Sequence, residues 1–167
     1  MAEFEKREGE IALAKDPADF ANDGKVVFIG NVRTAWKVRS DCPKNLVQAR
    51  EKGIGASLQL DEMWRPGLAG LEDSVYAIVL YWMDRARRDL IVQKPNHRPA
   101  PTGVFSLRSP VRPNPIALAV VKILGVDHEK GIVTIDAIDC LDGTPIVDIK
   151  PYMPRVDRVG EAEQPPI

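Results

Sequence analysis

Two distant turns carry the side chains of this sequence that are best suited to bind a small polar ligand. The first spans residues 103–116, GVFSLRSPVRPNPI, where a short apolar strand signal at Val104 and Phe105 leads to Arg108 and Arg112. Its prolines fix their own φ near about −65° and restrict the preceding residues, so the arginines extend from a stiff backbone. Such a loop either positions its cations for a ligand or is a solvent-exposed connection that needs several turns.

The second turn spans residues 139–143, DCLDG, and holds two carboxylates, Asp139 and Asp142, around an Asp-Gly pair. These carboxylates can accept hydrogen bonds from the hydroxyl or amine groups of a ligand. They can equally cap strands and stabilise the turn. Arg108 can bind a ligand carboxylate through two parallel hydrogen bonds, unless its partner is Asp139 itself.

Several widespread motifs are missing from the sequence. There is no G-x-x-x-x-G-K-[ST] phosphate loop, no G-x-G-x-x-G after a predicted strand and no G-x-S-x-G nucleophile turn. Cys42 and Cys140 lie far apart and form no C-x-x-C pair, and the chain has only two histidines. We therefore expect reduced thiols and no bound metal.

Positive charge is concentrated in one part of a nearly neutral chain. The net charge is −1, yet residues 85–112 contain seven cations and one anion, Asp89. A surface of this sign attracts phosphate groups, which favours a nucleic acid partner. The alternative is a solvated face with acidic partners opposite it.

The 167 residues, 44% of them hydrophobic, suit a single globular domain. We predict an N-terminal arm at residues 1–22, one domain at residues 23–155 and a C-terminal tail at residues 156–167. No apolar run is long enough to span a membrane, and the first twenty residues are too acidic and polar for a secretory signal. The expected location is therefore the cytoplasm.

Hydrophobic patterns predict a mainly β domain, either a barrel or a curved sheet. The strongest signal is the apolar run at residues 75–83, and residues 115–126 and 132–138 form a predicted hairpin. The other predicted strands are residues 25–32, 56–60 and 144–149. Residues 33–52 are predicted to be a long irregular loop and residues 61–71 a short helix or turn. The prolines between Pro95 and Pro115 predict no helix there.

With these residues identified, the chain resembles the TsaA-like, or TrmO-type, family. The blocks GVFSLRSPVRPNPI and LDGTPIVDIKPYMP are similar to its two signature blocks, and FIGNVRTAWK resembles its first strand. The resemblance covers approximately Val26 to Pro154. It implies a single β-barrel domain with short helices and long loops. It also implies a homodimeric methyltransferase that uses S-adenosyl-L-methionine without a Rossmann fold and methylates the N6 position of threonylcarbamoyl-adenosine beside the tRNA anticodon.

Positions of the family's functional residues carry over to this chain by resemblance. The implied cofactor contacts are Pro43, Lys44, Asn45, Met83, Asp84, Arg108, Leu118, Asp139, Cys140, Leu141 and Asp142. Candidate tRNA contacts are Arg87 and Arg88 in the cationic stretch, together with Arg112 and Asn114 in the proline-rich turn. The chain departs from better-known members at Met83-Asp84, where they carry His-Gln, and at Lys44-Asn45, where they carry Arg-Gln.

A purine exocyclic amine needs a hydrogen-bond acceptor nearby that takes its proton as the methyl group arrives. Asp84 and Asp139 are the two candidates for this role, and either could instead hold the cofactor. Two other functions stay open at this point. One is a methyltransferase for a small molecule or another nucleoside, and the other is a cofactor-binding regulatory module without turnover.

Overall fold

The computed structural model describes residues 6–20 and 24–159, which form nine strands and a few short helices. The strands are β1 (Ile11–Ala12), β2 (Gly30–Arg33), β3 (Ala56–Leu60), β4 (Tyr76–Trp82), β5 (Leu90–Gln93), β6 (Thr102–Gly103), β7 (Ile116–Asp127), β8 (Ile132–Ile135) and β9 (Pro145–Pro151). The α-helices are α1 (Leu46–Glu51) and α2 (Pro154–Asp157). Short 3-10 helices lie at Pro17–Asp19, Glu62–Leu68, Leu71–Asp73 and Val104–Ser106. The prediction of a mainly β protein is confirmed.

Six strands pair in a closed antiparallel ring in the order β2-β3-β8-β7-β4-β9, with β9 returning to β2. The most extensive pairing joins β4 to β7, where Tyr76 lies opposite Lys122 and Trp82 opposite Ile116. Successive side chains of a strand face opposite sides of a sheet. Accordingly, Ala77 and Val79 of β4 are fully buried, while their neighbours along the strand are more exposed.

The register assigns each strand terminus to one end of the ring. Ends of β2, β4 and β8 meet the starts of β3, β7 and β9 at what we call the upper end. The opposite termini form the lower end. Since both predicted ligand-binding turns follow or precede strands at the upper end, the antiparallel topology gathers them on one side of the domain.

A second, smaller sheet in the order β1-β5-β6 lies beside the ring. Its first strand comes from the predicted N-terminal arm, in which Arg7 donates to the backbone carbonyl of Lys94 at 2.8 Å. Glu10 accepts the backbone N–H of Lys94 at 2.9 Å. The Gln93 side chain donates to the carbonyl of Val111 and so ties this sheet to the proline-rich turn.

Most strand predictions hold to within a few residues, with three local corrections. β2 begins at Gly30 instead of residue 25, since pairing with β3 starts only there. The predicted irregular loop at residues 33–52 contains α1, and Val104 and Phe105 lie in a 3-10 turn instead of a strand. That turn buries Val104 and leaves Phe105 84% exposed, so Val104 is the residue of the pair that packs into the protein.

Among the described residues, no helix is of a length and hydropathy that would cross a membrane. Nor do those residues bring three or more His, Cys, Asp or Glu side chains together in a way that could hold a metal ion.

Candidate active site

The Asp-Gly turn is held against the loop that follows β2. The Oδ1 atom of Asp142 accepts the backbone N–H of Thr34 at 3.0 Å, and its Oδ2 atom lies 2.7 Å from the Nζ atom of Lys37. The hydrogen bond from Lys37, aided by that from Thr34, lowers the pKa of Asp142 below its ordinary value. Asp142 is therefore an ionised group that already has partners in the protein. Lys37 is largely exposed, so a ligand could displace it at little cost.

Asp139, the other carboxylate of this turn, is hydrogen-bonded to the end of β4. The Tyr81 hydroxyl donates to its Oδ1 atom at 2.7 Å. Burial raises the pKa of Tyr81 far above its ordinary value, and the negative charge of Asp139 adds to the rise. The positive charge of Arg108 acts in the opposite direction on the same phenol. Charges from the proline-rich turn and from the Asp-Gly turn therefore both act on Tyr81.

Arg108 lies at the surface of the proline-rich turn. Its Nη2 atom donates to the backbone carbonyl of Leu118 at 2.8 Å, which anchors the turn on the outer edge of β7. No carboxylate among the described residues forms an ion pair with Arg108, so Asp139 is not its direct partner. Its other N–H groups can bind a ligand carboxylate. Leu118 itself is 44% exposed.

The loop before α1 also reaches the Asp139 region. Burial raises the pKa of the Cys42 thiol to about 11, with a further contribution from the charge of Asp139. Pro43 is buried next to it. Asn45 caps α1 by accepting the backbone N–H of Gln48 at 2.9 Å, and the Gln48 side chain accepts the backbone N–H of Lys44 at 3.0 Å. The side chains of Asn45 and Gln48 thus stabilise the start of α1, while the Lys44 side chain is exposed.

Burial raises the pKa of both cysteine thiols near the site, which disfavours their thiolate forms. Cys140 is fully buried, and burial raises its pKa well above the ordinary value. Its carbonyl accepts the hydroxyl of Thr34 at 3.3 Å, and the carbonyl of Leu141 accepts that of Thr144 at 2.7 Å. These contacts hold the turn in shape.

Met83 and Asp84 continue from β4 at the upper end. The backbone N–H of Met83 donates to the carbonyl of Pro115 at 2.8 Å, and its side chain packs partly buried against the core. The side chain of Asp84 is exposed, and no hydrogen bond or ion pair reaches it among the described residues. Asp139 is held in place while Asp84 is not, which makes Asp139 the better-positioned carboxylate.

The candidate tRNA contacts form hydrogen bonds and ion pairs within the protein that the sequence does not predict. Arg87 forms a two-point ion pair with Asp89, with N–O distances of 2.7 and 2.6 Å. Arg88 donates to the carbonyl of Pro113 at 2.6 Å and to Asn114 at 3.4 Å, and its guanidinium lies 5.5 Å from the ring centroid of Trp82. Arg112 donates to the carbonyl of Leu107 at 3.3 Å. Arg88 and Arg112 therefore brace the proline-rich turn, which leaves other cations for phosphate.

Two surface cavities flank these elements. An open groove of about 680 Å³ runs along the outside of β3 and β8 to Asp142. Its polar lining residues are Arg33, Thr34, Lys37, Ser57, Thr134 and Asp142. A more enclosed cavity of about 340 Å³ at the lower end is lined mainly by apolar residues, among them Leu60, Trp64 and Leu71. Of these two cavities, the groove is the one that adjoins Asp142 of the candidate site.

The geometry thus defines a class of protein: a mainly β domain with a closed strand ring and a charged candidate site at its upper end. Residues 31–158 match the family model of the tRNA-methyltransferase O N-terminal domain. The chain belongs to this family, as its signature blocks predict.

Three comparisons illustrate the relationship. A probable S-adenosyl-L-methionine-binding protein, VirR of Rhizobium radiobacter, is 39% identical over 87% of this chain and 78% of its own length. The crystal structure of TrmO from Pseudomonas aeruginosa has a TM-score of 0.67 and 29% identity, and the match covers 84% of this chain and 61% of that one. A tRNA (adenine(37)-N6)-methyltransferase of Mus musculus is 41% identical over 54% of this chain and 21% of its length. This chain therefore corresponds to about three fifths of the solved enzyme and a smaller part of the mouse protein.

Sequence reasoning missed Tyr81, Thr34 and Lys37 as neighbours of the predicted site. Tyr81 stands in the middle of an apolar run and reads as a core residue, and its partner Asp139 is 58 positions away. Thr34 and Lys37 follow the first strand with no motif of their own. The FIGNVRTAWK block, quoted above for the first strand, contains both and was the available signal.

Proposed function

We propose that this chain is an S-adenosyl-L-methionine-dependent methyltransferase that methylates N6 of threonylcarbamoyl-adenosine at position 37 of tRNA. The observation that supports it best is that the strand register places the turns of Arg108 and Asp139 at the same end of the ring, in a chain of this family. The proposal includes a single small β-barrel, formed by the closed strand ring. It also rests on the names of the relatives, which bind S-adenosyl-L-methionine or methylate tRNA.

The charged groups at the upper end fit the chemistry of this cofactor. Its amino acid moiety presents a carboxylate, for which the free N–H groups of Arg108 are suited, and an ammonium group, for which a carboxylate is suited. Leu118 and Met83 offer apolar surface beside these charges. When bound, the cofactor supplies an electrophilic methyl group on a sulfonium centre.

Within this proposal Asp139 is the proton acceptor for the amine. Tyr81 occupies Oδ1 of Asp139, and no partner of Oδ2 is found in the described part of the chain. Oδ2 can therefore accept the proton that the nitrogen loses as the new N–C bond forms. Asp142, Pro43 and Lys44 shape the wall of the site in this arrangement, and the turns keep water from the reacting groups.

The test combines calorimetry with mass spectrometry of nucleosides. The purified chain should bind S-adenosyl-L-methionine with a stoichiometry of one site per chain. Incubation with tRNA that carries threonylcarbamoyl-adenosine should yield the N6-methylated nucleoside. A protein that does not bind the cofactor would contradict the proposal as a whole.

A second function is favoured by the lengths of the relatives. The relative whose own length is largely covered is named as an S-adenosyl-L-methionine-binding protein, whereas the mouse tRNA methyltransferase is covered over 21%. A cofactor-binding protein without tRNA activity, or a methyltransferase for another substrate, agrees with this. Cofactor binding without any change in the tRNA nucleosides would select this alternative.

The surface for tRNA in this proposal is the exposed part of the cationic stretch at residues 85–112. Arg85 and Arg98 are exposed in it, whereas Arg87 and Arg88 are engaged within the protein. We expect the double charge reversal R85E/R98E to weaken tRNA binding by about tenfold or more and to reduce the slope of log affinity against log salt by about two, since phosphate contacts release counterions. Filter binding at several salt concentrations measures both effects.

The control for this variant is the same change at the lower end, R155E/R158E, in the exposed segment around α2. It alters the net charge equally but lies away from the cationic stretch. Cofactor affinity should be preserved in both variants. Equal losses of tRNA binding in the two would assign the effect to overall charge and reject the surface.

We also propose that the chain forms a homodimer through the outer faces of β4 and β7. There Leu80 lies opposite Leu118 and Ile78 opposite Val120, which makes an apolar strip on the outside of the ring. Exposed apolar strips of this kind are typical of subunit interfaces, and two-fold dimers are the commonest assembly. Sedimentation velocity should detect a two-chain species, and L118K should convert it to one chain.

The control is L124K, the same change at another exposed leucine of β7, beyond Lys122. It should leave the dimer intact. A wild-type protein that sediments as a single chain at micromolar concentration would exclude the dimer.

A further inference from the structure

Tyr81 is a polar side chain placed in the core of the ring. It is 3% exposed and lies between Ala117 of β7 and Ile146 of β9 in the strand register. Burying a hydroxyl costs free energy unless it has a hydrogen-bond partner. A phenylalanine would fill the same space without this cost, so the hydroxyl needs an explanation beyond packing.

The hydroxyl forms a hydrogen bond to the carboxylate that the proposed function requires. The donor–acceptor distance to Oδ1 of Asp139 is 2.7 Å, which is typical of a bond from a hydroxyl to a charged oxygen. Burial keeps the pKa of Tyr81 far above neutrality, so the phenol stays a proton donor and never a base. The charged or titratable groups that face it are Asp139, Cys140 and Arg108.

This bond constrains which oxygen of Asp139 can react. Asp139 follows β8 in a turn and lacks the backbone pairing of a strand, so its side chain would otherwise sample several rotamers. With Oδ1 fixed by a group in the rigid core, Oδ2 is left as the acceptor. Functional groups held by rigid elements keep the geometry that proton transfer needs.

We propose that Tyr81 is a positioning residue for methyl transfer, which acts by holding Asp139 with Oδ2 as the atom that takes the amine proton. This inference rests on the proposed function. The nitrogen gains the methyl carbon and loses its proton to Asp139, while the sulfur keeps the electron pair of the broken C–S bond. Tyr81 keeps its own hydroxyl proton and forms no covalent bond in this step.

The test is a cycle of the variants Tyr81→Phe, Asp139→Asn and the double variant. We expect Y81F to lower kcat by about tenfold to a hundredfold, the effect of removing a hydrogen bond to a charged group. The KM for tRNA and the calorimetric Kd for S-adenosyl-L-methionine should stay within about threefold, because Tyr81 touches neither. In the D139N background, Y81F should cost little more, since its effect passes through Asp139.

The matched control is Tyr76→Phe, which removes a hydroxyl from the other end of β4. Tyr76 is 41% exposed, and its ring packs edge-on against Tyr152. It should retain wild-type kcat. Thermal unfolding of each variant shows whether a fall in kcat comes from a destabilised fold or from the loss of the hydrogen bond that positions Asp139.

A readout independent of activity is the Tyr81 hydroxyl proton in the NMR spectrum of the free protein. It should give a slowly exchanging downfield signal that is absent in Y81F and shifted upfield in D139N. If Y81F does not fold, the comparison of wild type with D139N decides: an unshifted signal overturns the inference.

The outcomes separate the inference from the function beneath it. An active wild type with an equally active Y81F overturns the inference and leaves the function standing. Additive losses in the cycle also overturn it. A wild type that binds the cofactor but transfers no methyl group removes both.

Discussion

Replacing Arg108 with alanine is expected to weaken the binding of S-adenosyl-L-methionine by about a hundredfold. Arg108 donates to the carbonyl of Leu118, and its other N–H groups, which have no partner among residues 6–20 and 24–159, can bind the carboxylate of the cofactor. Removing one partner of a hydrogen-bonded charge pair costs about 2–5 kcal/mol, and each 1.4 kcal/mol is a factor of about ten in Kd. Titration calorimetry measures the change directly.

Arg108→Lys should give an intermediate Kd, because lysine keeps the charge but loses the planar two-point geometry. Arg155→Ala, at an exposed arginine near the lower end, is the control and should bind as wild type. The competing explanation is that Arg108 only anchors the turn to β7. In that case R108A would lower the thermal midpoint while Kd stayed unchanged, and the assignment would fail.

The approach of the two turns could be predicted from sequence only in part. Strands ending at residues 83 and 138 were expected on hydrophobic pattern, so polar side chains at strand ends were the natural candidates. Which ends meet depends on register, and register in a closed ring follows from contacts such as those of Ser57 with Thr134. A local sequence pattern does not indicate which residue of a distant strand lies opposite.

The contacts within the site were less accessible to sequence reasoning. The prediction that Asp142 accepts hydrogen bonds from a ligand is untested, and its two oxygens already contact Thr34 and Lys37. Arg88 stays a predicted tRNA contact, and in the structure its guanidinium lies over the Trp82 ring and donates to the carbonyl of Pro113. Charge alone does not distinguish a cation that braces a loop from one that binds phosphate.

One missed element did have a local signal. Asn45 followed three residues later by Gln48 is a helix-capping pattern, and the two side chains satisfy backbone N–H groups at the start of α1. The helix has only six residues, which is too short for hydrophobic periodicity to indicate it. In this segment the capping residues indicate the helix, and periodicity does not.

All parts of the proposed site depend on closure of the strand ring. The loop with Thr34 follows β2, Tyr81 belongs to β4, and the Asp-Gly turn precedes β9. The shortest link in the ring is the pairing of β2 with β9, which joins Gly30 to Ile146 and Asn31 to Pro145. Gly30 belongs to this link and also pairs with Leu60 of β3, so a change at Gly30 should affect the site without touching any of its side chains.

Gly30→Ala is expected to destabilise the protein by about 3 kcal/mol or more. Gly30 has φ of +157°, and a Cβ atom there would lie 2.1 Å from the carbonyl oxygen of Gln59 and 2.8 Å from the Cα atom of Leu60. Both are backbone atoms of β3, so no side chain can move aside and the strands must separate. Chemical denaturation monitored by circular dichroism measures the loss.

Gly125→Ala is the matched control, since Gly125 also lies in a strand of the ring and an added Cβ atom would meet nothing within 4 Å. Its free energy of unfolding should stay within about 1 kcal/mol of the wild-type value, as for most surface substitutions. Cofactor affinity should fall in G30A together with the folded fraction and should be retained in G125A. A G30A protein with the wild-type midpoint would mean that β2 tolerates a wider spacing from β3, and closure at Gly30 would then not be what holds the two turns together.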